Sequence, residues 1–280
     1  MIIARNRAHT LATTLQRLLS LQEPVPIIIV DNHSEDDTVQ IVSKNYPDVT
    51  LIQLPENYGS AGRNIGAEYA RTPYIAFADD DSWWEDGALR ASVAYFEKYP
   101  DLGLIQGKIL LHGERLEPAC QQMDKSPVST PRHFPGKCIL GFVACGAIVR
   151  KEAFLSVGGF HRQFGVGGEE ELIALDLAEH GWMLAYFQDI LAFHSPSPIR
   201  DKTRRKQLVI RNHLWAVWLR CPLGSLFAET ASFFKQAITD SSVRKGVLEA
   251  FMGLPWIIKE RKLLSSVLER ELVKLSKSQH

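Results

Sequence analysis

The sequence is short of the features that assign a chain to a class at once. No uncharged apolar run approaches the roughly 18–20 residues needed to cross a bilayer. An excess of one charge is also missing. The 32 basic and 32 acidic side chains give a formal net charge of +0, which argues against a general binder of nucleic acid or another polyanion and makes any basic surface local. The four cysteines, Cys120, Cys138, Cys145 and Cys221, lack CxxC or zinc-type spacing, and a chain of 280 residues needs no disulfides to complete its core. A reducing cytoplasm is the simplest setting. The opening Met1-Ile2-Ile3-Ala4-Arg5-Asn6-Arg7 has no unbroken apolar stretch of signal-peptide type. What remains is ordinary globular composition, 45% hydrophobic and 23% charged, enough for one large domain with a helical appendage.

From residue 1 to about 195, short apolar runs alternate with amphipathic segments, the pattern of βαβ units and a mostly parallel open sheet flanked by helices. Strands are expected near 2–4, 27–30, 50–54, 74–78, 104–109, 144–150 and 183–187. Helices are expected near 9–21, 36–45, 61–70, 87–99 and 170–180. The proline-bearing stretch 113–136 reads as an irregular loop or flap. Beyond about 200 the strand pattern stops. Aromatic-rich helices follow, giving a division into a domain over 1–200 and a helical region over 201–280.

Ligands of open α/β sheets bind at the carboxyl ends of the strands, so acidic and glycine residues directly after apolar runs matter most. Asp31 follows Ile27-Ile28-Ile29-Val30 and reads equally well as a turn residue or a ligand contact. Asp79-Asp80-Asp81 follows Tyr74-Ile75-Ala76-Phe77-Ala78. Three carboxylates at one strand tip repel unless they are solvated or share a cation, and Mg²⁺ or Mn²⁺ with a substrate phosphate meets that need. Asn57-Tyr58-Gly59-Ser60-Ala61-Gly62-Arg63-Asn64-Ile65-Gly66 opens a helix whose glycines permit close packing and whose first N–H groups are free. It is not GxGxxG, which disfavours a dinucleotide-binding Rossmann enzyme. The aspartate cluster has no DxDx[TV] register, which disfavours a phosphatase of that type.

A second acidic cluster, Gly167-Gly168-Glu169-Glu170-Glu171-Leu172, precedes an apolar helical face. Negative charge in a first helical turn is favoured by the helix dipole, and glycines just before it leave room for a substrate, so capping and catalysis are both open. His194 falls in Ala192-Phe193-His194-Ser195-Pro196, past the last expected strand.

Taken in order, these motifs resemble a family 2 glycosyltransferase of the nucleotide-sugar type, with a GT-A fold, over about residues 1–220. Arg5-Asn6-Arg7, Val30-Asp31-Asn32-His33-Ser34, Gly158-Gly159-Phe160, Gly181-Trp182 and Arg211-Asn212 belong to the same series. The resemblance implies an inverting sugar transfer from a UDP, dTDP or GDP sugar to a saccharide or lipid-linked acceptor in surface polysaccharide or glycolipid assembly. It implies that Arg5, Asp31, Asn57, Gly62, Arg63, Asp79 and Asp80 meet the nucleotide sugar. Asp79, Asp81 and His194 would hold Mn²⁺ or Mg²⁺, and Glu170, with Glu169 beside it, would supply the general base. The chain departs from the usual pattern by carrying Glu-Glu in place of Glu-Asp and Leu172 in place of a following Asp.

Residues 200–220 hold seven basic side chains against one acid, fit for a solvated face, a diphosphate clamp or attraction to anionic lipid. Trp215, Trp218 and Phe233-Phe234 read as core or as an interfacial belt, and 259–275 as an amphipathic helix for the domain, a bilayer or a second subunit of a homodimer. Two rival readings are a nucleotidyltransferase that makes the activated sugar and a catalytically inactive sugar-nucleotide binding module.

Overall fold

The computed structural model describes residues 1–196 and 201–278. The first half follows the expected alternation. Strand β1 (Ile2–Ala4) leads to helix α1 (Ala8–Leu19), whose buried Ala8, Leu11, Leu15 and Leu18 recur at helical spacing against the sheet. Then come β2 (Ile28–Asp31), α2 (Thr38–Asn45), β3 (Thr50–Gln53) and α3 (Gly62–Tyr69). These strands and β5 (Ala78–Asp79) form a parallel sheet ordered β3-β2-β1-β5.

A second, mixed sheet lies beside it. The expected strand 74–78 divides into β4 (Tyr74–Ala76) and β5, which join different sheets. After β6 (Ser82–Trp84) and α4 (Ala88–Lys98), the path β4-β10-β7-β11-β6 uses β7 (Leu102–Leu111), β10 (Ala147–Arg150) and β11 (Met183–His194). Within it β7 and β11 run parallel, while β10 and β6 run antiparallel to their neighbours.

The stretch 113–136 is not wholly irregular. It holds β8 (Arg115–Leu116) and α5 (Pro118–Asp124), in which Pro118 occupies the first turn where no N–H is needed, before β9 (Lys137–Cys138). Strand β11 runs on to His194 because a bulge between Phe187 and Leu191 takes up the polar pair Gln188-Asp189. That polar pair is what made the strand read as ending at 187.

After α6 (Lys151–Ser156) and α7 (Glu170–Glu179), the C-terminal region comprises α8 (Lys202–Arg220), α9 (Leu223–Ala237), α10 (Ser241–Met252), α11 (Leu254–Glu260) and α12 (Ser266–Ser278). The expected helix over 259–275 is broken at 261–265. There the Lys262 N–H donates to Leu219 O at 3.0 Å and Leu264 N–H to Arg220 O at 2.9 Å, tying the chain to the end of α8. Trp215 and Trp218 are core residues, packed with Leu214, Val247 and Ile257. Phe164 and Leu172 belong to this same cluster, so the helical region shares a core with the segment around the second acidic cluster. The expected boundary at 200/201 borders 197–200, outside the described residues, as does Arg200 of the basic stretch.

Candidate active site

The carboxyl ends of β1 and β2 are stitched together by their own turns. Asn6 and His33, both at positive φ, start the two loops. The Ser34 hydroxyl accepts the Asn6 N–H at 2.9 Å, and Asn6 Oδ1 accepts the Glu35 N–H at 2.8 Å. Asp31 is buried at the end of β2. Its Oδ2 accepts the Ser34 N–H at 3.0 Å, whereas its Oδ1 is buried without a hydrogen-bond partner among the described residues. A buried acceptor left unpaired is costly, so this oxygen is suited to a donor on a ligand. Arg5 is exposed in the same turn, 3.8 Å from Glu35.

The glycine-rich segment is held from below. Asn32 Oδ1 accepts the Tyr58 N–H at 2.7 Å and Asn32 Nδ2 donates to Gly59 O at 2.9 Å. A Cβ at Gly59, where φ is 57°, would lie 2.7 Å from Gly165 Cα, so this loop and the segment before α7 touch backbone to backbone. Asn57 is exposed at the edge, accepting the Gly59 N–H. Gly62, expected to line the nucleotide pocket, lets α3 approach the sheet: a Cβ there would lie 2.9 Å from Ile3 Cδ1.

The three aspartates diverge. Asp79 accepts a 2.5 Å hydrogen bond from the buried Arg63, whose guanidinium stacks over Phe160 with 5.5 Å to the ring centre. Asp80, expected to meet the donor, is turned to α1. Its Oδ2 accepts from Thr10 Oγ1 at 2.9 Å and lies 2.9 Å from Arg7 Nε, and Thr14 bonds its backbone oxygen. Burial, reinforced by the charge of Asp81, raises its pKa. Asp81 is buried, with Oδ1 3.2 Å from His194 Nε2.

His194 is not in a loop. It is the last residue of β11, paired with Ser82 of β6 and Leu111 of β7. Single ligand atoms of Asp79, His194 and Cys145 lie within 4.8 Å of one another, and His194 Nδ1 is buried with no hydrogen-bond partner among the described residues. A carboxylate and an imidazole with a buried open nitrogen form a donor set that fits a divalent cation. Nothing in the apolar run 142–149 marks Cys145 as part of it.

The glutamates also separate. Glu171 leaves the cluster, its Oε2 2.9 Å from Nδ1 of His213 on α8, and Glu171 above all holds the His213 pKa up to about 10. Glu169 is buried and accepts the Gly167 N–H, and burial followed by the charge of Glu170 raises its pKa to about 8. Glu170 Oε1 accepts the Ala144 N–H at 3.4 Å, and burial raises its pKa against the opposing pull of Arg63. Asn212 of α8 donates to Phe164 O at 3.0 Å and Gly167 O at 2.8 Å, fixing the loop before α7. Asn212 was seen in sequence only as part of a motif, and His213 not at all.

The model of the family described as "Glycosyl transferase family 2" matches residues 1–157, more than half of the chain. The chain belongs to glycosyl transferase family 2. Its sequence is 23% identical over 268 residues to an N-acetylglucosaminyl-diphospho-decaprenol L-rhamnosyltransferase of Mycobacterium tuberculosis, covering 81% of this chain and 87% of that one. Among solved structures it resembles S. aureus TarS, at 18% identity and TM-score 0.59 over 86% of this chain and 49% of that one, so it spans about half the length of TarS. A mannosyltransferase of Pyrobaculum calidifontis, solved with GDP-Man and Mn²⁺, matches at 15% identity and TM-score 0.59, covering 100% of this chain and 86% of that one. The protein is therefore a glycosyltransferase with a GT-A fold and a helical C-terminal region.

Proposed function

We propose that the protein transfers a sugar from a nucleoside diphosphate sugar, with inversion, to a hydroxyl of a lipid-linked saccharide, on the cytoplasmic side of a membrane during surface polysaccharide assembly. The observation that carries this reading is the turn at 144–146. The Ala144 N–H holds Glu170, and the next residue, Cys145, offers a sulfur within 4.8 Å of ligand atoms of Asp79 and His194. One turn thus joins the candidate base to the candidate metal cluster.

Asp31 Oδ1 accepts an N–H of the nucleotide base, satisfying an oxygen that has no hydrogen-bond partner among the described residues. Arg5 and Asn57, exposed at the mouth, border the ribose and base. Asp79, Asp81 and His194 would hold the cation, and the imidazole favours Mn²⁺ over Mg²⁺. When bound, the cation neutralises charge on the departing diphosphate as a Lewis acid. Arg63 holds Asp79 in place through its 2.5 Å hydrogen bond.

Glu170 takes the proton of the acceptor hydroxyl as that oxygen bonds to the anomeric carbon and the bond to the diphosphate breaks. Its raised pKa makes it a stronger base than an ordinary carboxylate. Glu169, whose pKa burial and the charge of Glu170 push upward, positions the loop through Gly167. The lipid-linked acceptor is supported by the mycobacterial relative, whose name specifies a diphospho-decaprenol acceptor. The test is transfer of label from UDP, dTDP and GDP sugars to a polyprenyl-diphosphate saccharide with and without Mn²⁺. Product of inverted configuration from one donor supports the reading. Hydrolysis or binding of every donor without transfer contradicts it.

A further inference from the structure

The helical region keeps one face bare. On α9 the residues Leu223, Phe227 and Phe234 follow one stripe at four- and seven-residue spacings, continued by Ile238 just past the helix end, and all are exposed, Phe227 to 67%. The stripe opens on a groove of about 500 Å³ floored by Trp218 and Ile257 and bordered by Phe251 and Ile258. Ile258 is 73% exposed, and Met252 at the end of α10 is 79% exposed. Large apolar side chains this far out and this close together mark a contact surface.

Charge decides what covers it. Residues 223–263 contain four acids, Glu229, Asp240, Glu249 and Glu260. Each is engaged away from the stripe, with His213, Lys206, Arg204 and His161 respectively. The same segment has six cations, of which Lys235, Arg244, Lys245, Lys259 and Lys262 are exposed and make no ion pair among the described residues. Lys235 adjoins Phe234 on α9, Lys259 adjoins Ile258 on α11 and Arg244 lies two helical turns before Phe251 on α10, so a second copy placed on this face by a two-fold axis would set cations against cations. A sheet of anionic headgroups over hydrocarbon complements both the charge and the apolar stripe.

We propose that the exposed face of α9, α10 and α11 docks the protein on an anionic bilayer. No described helix is long and apolar enough to cross a membrane, so the contact is peripheral. The proposal stands apart from the sugar-transfer reading, since none of these residues touches the candidate active site.

The test is flotation of the purified protein with vesicles of phosphatidylglycerol and phosphatidylcholine, against vesicles of phosphatidylcholine alone. The wild type is expected to float with the anionic vesicles and to be released by high salt. The triple variant Phe227→Ser, Met252→Ser, Ile258→Ser and the charge variant Lys235→Glu, Lys259→Glu are each expected to bind at least about tenfold more weakly. Both should keep the wild-type melting temperature, because the altered side chains lie largely outside the core. Wild type that stays with the soluble fraction overturns the proposal, as do variants that bind as well as wild type. A solution dimer that the triple variant turns into monomer assigns the face to a second copy and overturns it equally.

Discussion

His194 Nε2 lies 3.2 Å from Asp81 Oδ1, so the last residue of β11 closes directly on the turn between β5 and β6. This pairing draws the end of the mixed sheet onto the tip of the parallel one, where ligand atoms of Asp79 and Cys145 lie within 4.8 Å of His194.

Asp81→Ala and Asp79→Ala are each expected to lower sugar transfer by about 10³-fold or more, since a Lewis acid at a leaving group contributes several kcal/mol. Steady-state transfer assays check this, with calorimetry to follow metal-dependent nucleotide binding. Normal turnover by Asp81→Ala removes Asp81 from the metal site.

Glu170→Gln is expected to leave donor affinity within about twofold while turnover falls by about 10²–10⁴. In the wild type, kcat should climb with pH beyond the usual carboxylate range as Glu170 loses its proton, and the variant should lose that rise. Glu169→Gln should cost much less, because that side chain holds the Gly167 N–H of the loop before α7. An active Glu170→Gln moves the base to Glu169.

Asp31→Ala is expected to weaken nucleoside diphosphate binding by about 10- to 100-fold, the range of a hydrogen bond to a charged group. A titration of the nucleotide at fixed Mn²⁺ measures it. Unchanged affinity returns Asp31 to a turn residue.

His213 sets a pH dependence of stability. Its pKa is raised from 6.5 to about 10 in the fold, chiefly by Glu171, so its contribution is complete below about 6.5 and is lost as pH rises through about 10. His213→Gln should therefore destabilise the protein more at pH 6 than at pH 10 in denaturant melts. Equal loss at both values contradicts the ion pair with Glu171.

The strand tips are legible in the sequence because apolar runs ending in Asp31 and Asp79 signal both the strand and the ligand edge of an α/β sheet. The sequence could not tell that Asp80 turns back to Thr10 and Arg7, since direction within a tight turn depends on backbone geometry that three adjacent aspartates do not encode. His194 was picked out but misplaced, because Gln188-Asp189 looked like a strand end and proved to be a bulge. Leu172, a departure from the family pattern, is explained by burial in the core that α7 shares with α8. Cys145 had no signal at all, being one small residue in a buried apolar run.

The most direct measurement is a thermal-shift panel of UDP, GDP, dTDP and CMP, each with and without Mn²⁺, on the wild type and on Asp79→Ala and His194→Ala. A ligand that binds only the native state at about 100 times its Kd adds about 2.7 kcal/mol, a rise of several degrees in Tm. One nucleoside diphosphate is expected to give that rise in the wild type only when Mn²⁺ is present, and in neither variant. The same rise without metal, or in both variants, contradicts a cation held by Asp79 and His194.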